Sequence, residues 1–112
     1  MVPTFSTATA LTAAGVTADV PVTGAEDFVI QVNVSSIGTN VVVRVEGTLD
    51  GTNYFNCDSG GDTTITSNGS TAFSLQNVPL KSLRGRLVSF SGGTPSVQFV
   101  FCLLYTSPSP RD

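Results

Sequence analysis

Residues 41–57 read VVVRVEGTLDGTNYFNC. Val41, Val43, Val45 and Leu49 share one parity, while Val42, Arg44, Glu46 and Thr48 share the other. A period of two puts one set on a buried face and the other on a wet one, the mark of a half-buried strand. Asp50-Gly51 follows, a pair that tolerates positive φ and gives a strong hairpin signal. Tyr54 and Phe55 open the return strand. The stretch is a strand, a turn and an aromatic return.

The same grammar repeats on both sides of it. Upstream, residues 4–11 form a weak, Thr-rich strand that Ala13-Ala14-Gly15 breaks. Val16, Ala18, Val20 and Val22 alternate next, and Pro21 places this strand at a sheet edge because it has no N–H to donate. After a turn at 23–27, Phe28, Ile30, Val32 and Val34 make a clean apolar face, and residues 35–40 read as a loop of turn formers. Downstream, CDSGGD is a turn, 63–66 is strand-like, and Ser67-Asn68-Gly69 is expected to close a hairpin. Thr71, Phe73 and Leu75 share a face, Asn77-Val78-Pro79 makes a corner, and Leu83, Gly85 and Leu87 oppose Arg84 and Arg86. Residues 91–95 turn the chain, and Val97, Phe99 and Phe101 end the last readable strand.

About eight or nine short strands with frequent turns predict an all-β fold, an antiparallel β-sandwich of jelly-roll type. No connection is long enough for a crossover helix, so the pairing is expected to be antiparallel. The expected core is Val20, Phe28, Ile30, Val32, Val41, Val43, Val45, Leu49, Tyr54, Phe73, Leu75, Leu83, Leu87, Val97 and Phe99.

Composition narrows the function classes. The 112 residues suit one domain, 40% are hydrophobic and 12% charged, which argues against charge-driven disorder. The net charge of −3 comes with no basic stripe, so no nucleic-acid partner is expected. No apolar run reaches the length of a membrane span, and residues 1–15 lack the charged and apolar regions of a secretory signal.

The chain contains no histidine, which removes the usual general base, the usual triad and the commonest metal ligand together. Cys57 without a histidine partner reads as a structural thiol rather than a nucleophile. Asp50, Asp58, Asp62, Asn53 and Asn56 cluster around two turns and offer the oxygens a calcium ion takes, but their spacing does not fit the helix-flanked calcium loop and turn chemistry is the stronger account of them. No enzyme, cofactor or metal is therefore expected. Arg44, Arg84 and Arg86 fall on outward parity. Two readings stay open for them: cross-strand pairing with Glu46, or an interface in which Val42 and Val88 join them.

Residues 102–112, CLLYTSPSPRD, need a separate account. Back-translated, they resemble the transposase adapter of short-read sequencing libraries, read through in one frame along all eleven residues. The expectation is one domain over 1–101 and a non-native tail over 102–112, from an assembled metagenomic source. Cys102 then leaves the cysteine count, Cys57 stands alone, and no disulfide is expected.

VRVEGTLDGTNYFN, followed by FSLQNVPLKSLRGRLVSFSGGTPSVQF, resembles the small β-sandwich structural proteins of tailed phages. The same order is similar to the discoidin-like, galactose-binding jelly roll, with Tyr54 where tryptophan is usual. The first resemblance implies a non-enzymatic virion part, a head decoration or tail component, assembled from several copies and touching other virion proteins. The second implies, as the alternative, a carbohydrate-binding module of a fibre or host-recognition protein. No ligand loop of that family is matched and no binding residue is carried over, but such a module would gather aromatic or polar side chains at the loop end, near Tyr54, Asn56 or Asn68.

Overall fold

The computed structural model describes residues 2–57, 61–76 and 78–105. Eight strands are present: β1 (Val2–Thr7), β2 (Gly15–Val16), β3 (Val20–Pro21), β4 (Ala25–Thr48), β5 (Tyr54–Asn56), β6 (Thr63–Ile65), β7 (Gly69–Leu75) and β8 (Ser82–Tyr105). Every pairing is antiparallel. All eight strands belong to one sheet that curls into a half-barrel; two separate sheets do not occur among the described residues.

The spine is a ribbon of β4 and β8, paired from Ala25↔Tyr105 to Thr48↔Ser82. Each has 24 residues. A straight strand of that length would run roughly 80 Å at about 3.3 Å per residue. The longest dimension of the molecule is 51 Å, so the ribbon is folded over. The fold comes where 35–40 and 91–95 were expected to be loops. Pairing continues through both, with register shifts between Ser35 and Ile37 and between Ile37 and Asn40. Ser36 takes φ 55, and Gly92 and Gly93 take φ 70 and 67. The backbones meet so closely that a Cβ on Gly38 would lie 2.3 Å from the carbonyl carbon of Gly92. Turn formers here bend a strand pair without ending it.

The bend divides the sheet into two halves. In the first, 25–34 of β4 and 96–105 of β8 lie between β7 and β1. In the second, 41–48 and 82–90 lie between β5 and β6 on one side and β2 and β3 on the other. The inner faces of both halves supply one core, in which Phe28, Ile30, Val41, Val43, Leu83, Leu87, Phe99 and Phe101 are fully buried.

Most expected core positions are buried, and three are not. Leu49 is 67% exposed, because β4 ends at Thr48 and Leu49 lies in the turn. Tyr54 is half-buried on the outer face, opposite Thr48. Phe73 is half-buried and packs against the core. Val22, Ala25, Val34, Ile65, Leu80, Phe101 and Leu103 complete the core beyond the expected set.

Local corrections follow from tertiary pairing. The expected strand over 16–22 is two short pieces, each held by β8. Pro21 does lie at an edge, opposite Ser82. Gly69 follows a turn, but β6 and β7 do not form a hairpin; both pair with β4, on different halves. The Asp50-Gly51 hairpin exists with a five-residue connection, since Thr48 pairs with Tyr54. Gly51 takes φ 83 there. Residues 102–105 continue β8, with Leu103 buried, while 106–112, Asp58 and Asn77 lie outside the described residues.

Candidate functional site

The outer face of the second half gathers Arg44, Arg84 and Arg86, three of the chain's five basic residues, around Glu46. Alternation along β4 turns Val42, Arg44, Glu46 and Thr48 outward, as Arg84 and Arg86 are turned outward on β8. Register then decides the contacts: Arg44 faces Arg86, and Glu46 faces Arg84. Two arginines directly opposed would repel. Glu46 resolves this from the next pair on the same face, two residues along.

The Glu46 side chain is 5% exposed and takes all three cations. Arg84 Nε donates to Oε1 at 2.8 Å, Arg86 Nε to Oε2 at 2.7 Å, and Arg44 Nη1 to Oε2 at 3.3 Å. Burial pushes the Glu46 carboxyl up, but hydrogen bonds from Arg86 and Arg84 outweigh it, and the group titrates below the ordinary carboxylate range. Arg44 also grips Asp62 with two bonds, from Nε at 2.7 Å and Nη2 at 3.1 Å. That pair holds Asp62 below, and Arg44 above, its usual value.

Tyr54 extends the network. The guanidinium carbon of Arg84 lies 3.6 Å from the centre of its ring, a cation–π stack. Its hydroxyl donates to Asp19, between β2 and β3, which raises the phenol's pKa. The network thus joins β5, β4, β8 and the β2–β3 edge across one face. Val42 and Val88 are half-buried at its margin, where β8 bulges opposite the step from Val42 to Val43.

The turn residues do other work. Asp50 Oδ1 accepts the N–H groups of Thr52 and Asn53, each at 2.8 Å, and Thr48 Oγ1 accepts that of Gly51 at 3.0 Å. Hydrogen bonds from Asn53 and Thr52 hold the Asp50 carboxyl far below its usual range. Asp62 is engaged by Arg44 and by Asn56 Nδ2 at 3.3 Å, so Asp50 and Asp62 serve separate structures. Among the described residues no cluster of three metal-ligating side chains occurs. Tyr54, Asn56 and Asn68 do not converge either: Asn68 Oδ1 accepts the N–H of Ile37 at the bend, while Tyr54 lies near the opposite end of the second half.

The parity of Arg44, Glu46, Arg84 and Arg86 was legible in the sequence. Asp62, Asp19 and the outward placing of Tyr54 were not, because they depend on which strands flank the ribbon. Tyr54 opposes Thr48 because the connection runs over five residues, whereas a two-residue Asp50-Gly51 turn would place it opposite Gly47 on the core parity.

What the fold and face define is an all-β, half-barrel protein with a salt-bridged arginine surface. No protein-family model matches the chain, and no curated protein matches it in sequence. Among solved structures, the SPBc2 prophage-derived protein YomS is similar with a TM-score of 0.57, covering 91% of this chain and 96% of that one at 13% identity. A chain from Bacillus endospore appendages, described as a novel family of disulfide-linked pili, is similar at TM-score 0.49 and 8% identity, over 94% and 87%.

Proposed function

We propose that this chain is a non-enzymatic structural component of a phage particle, a head decoration or tail part acting through protein–protein contacts. The observation that carries this reading is the likeness of fold to a prophage-derived protein along nearly the full length of both chains. The phage-like motif pair in residues 43–99 supports it from the sequence side.

The outer face of the second half suits such a part. A sheet face whose arginines are already locked onto Glu46 and Asp62 presents guanidinium edges at low entropic cost, and arginine is enriched at protein interfaces. Arg44, Arg84 and Arg86, with Val42 and Val88, are the contact residues proposed for neighbouring virion proteins. The virion is the proposed location. The test is mass spectrometry of purified particles from a lysogen or lysate that encodes the chain. Detection at stoichiometric level supports the reading, and absence from particles overturns it.

A further inference from the structure

The two halves of the sheet treat their edges differently. In the second half the edge strands have two or three residues each, and Pro21, Asp19 and Asp62 interrupt or charge them. These are the usual devices that keep an open edge from pairing with another chain. Along its outer strands the first half has only one of them, a proline. β1 runs for six residues and β7 for seven, both uncharged, and the single proline is near the start of β1. Each pairs on one side only among the described residues, β1 with β8 and β7 with β4.

Strand direction makes these two edges complementary. In the order β1-β8-β4-β7 every neighbour is antiparallel, so β1 and β4 run one way and β8 and β7 the other. A second copy shifted sideways, without rotation, would bring its β1 beside β7 and continue the alternation. Phe5, 69% exposed, lies on the same sheet face as Ser74, through the row Phe5–Cys102–Val29–Ser74. In the joined sheet it would be covered by the neighbour's β7. Two-fold pairing of like edges would leave the other edge of each copy open, whereas head-to-tail pairing uses both.

We propose that copies of this chain assemble head to tail, the β1 edge of one pairing antiparallel with the β7 edge of the next, into a ring or filament. This deepens the structural role above by naming a partner. It rests on the edges alone, so a failure in purified protein is separate from a failure in the particle assay.

The test uses the full chain and two doubly charged variants, F5K/T7K on β1 and A72K/S74K on β7. All four positions are exposed. In sedimentation velocity, the wild-type chain is expected to grow beyond a dimer as concentration rises, and each variant alone to stay monomeric. An equal mixture of the two variants is expected to form a dimer and stop, because one intact β7 edge meets one intact β1 edge. A monomeric wild type, a variant that dimerises alone, or a mixture that stays monomeric overturns the proposal. Should a double variant fail to fold by circular dichroism, F5K and A72K carry the same comparison.

Discussion

The ring of Phe99 fills the space that a side chain at position 85 would need: a Cβ on Gly85 would lie 2.4 Å from two ring carbons. Gly85 is in the second half of the sheet and Phe99 in the first, so this contact closes the half-barrel across the bend. Gly85→Ala is expected to cost about 3 kcal/mol in urea unfolding, at the upper end for overpacking a filled core. Phe99→Leu in that background should recover part of the loss. The two changes are then less than additive, which a double-mutant cycle reads directly. Additive losses would mean that the ring can move away.

The bend is a second place where backbone fills space that a side chain would need. A Cβ on Gly38 would press on the backbone of Gly92 and Gly93, which cannot rotate aside as a side chain can. Gly38→Ala is therefore expected to lose about 3 kcal/mol or more, with the largest rise in amide exchange at 35–40 and 91–95. Exchange rising uniformly across the chain would show that the bend is not a local unit.

How far the sequence reveals this fold is set by what is local. Alternation at 28–34, 41–48, 83–87 and 97–101 is a property of adjacent residues, and those inner faces are where it placed them. The continuity of β4 through Ser36 and Gly38 is not local. It exists because Gly92 and Gly93 of the partner strand bend with it, and either segment alone has the composition of a loop. The site divides in the same way. Arg44, Arg84 and Arg86 face outward by parity, but Asp62 reaches Arg44 only because β6 lies beside β4. Leu49 looked like core by extrapolating a period one turn past the strand's end.

Glu46 makes the arginine face a single unit, and neutralising it should be felt at all three cations. Glu46→Gln is expected to lose about 2 kcal/mol near neutral pH, less than for a fully buried pair because the arginines are part-exposed. The pH dependence has a definite sign. The folded pKa of Glu46 is depressed, so the unfolded chain binds more protons in the window between the two values. The contribution is present above the unfolded value and is lost as pH falls through the folded one. Thermal melts from about pH 7 down to about pH 3 should show the gap between wild type and E46Q closing. A gap constant across that range would mean that packing, rather than charge, holds the face.

Tyr54 ties the arginine face to the β2–β3 edge through two separable interactions. Tyr54→Phe keeps the ring under Arg84 and removes only the hydroxyl bond to Asp19. It should cost about 0.5–1 kcal/mol, with faster amide exchange confined to 15–21. Tyr54→Leu also removes the stack and should cost about 0.5–1 kcal/mol more. The phenol's raised pKa gives a second readout of opposite sign to that of Glu46. Its contribution is whole below the unfolded tyrosine value of about 10 and is lost as pH rises through the folded value. Wild type should therefore lose stability on the alkaline side relative to Y54F until the two coincide. If Y54F instead loosened β4 and β8 as much as 15–21, the hydroxyl would be holding the whole sheet rather than its edge.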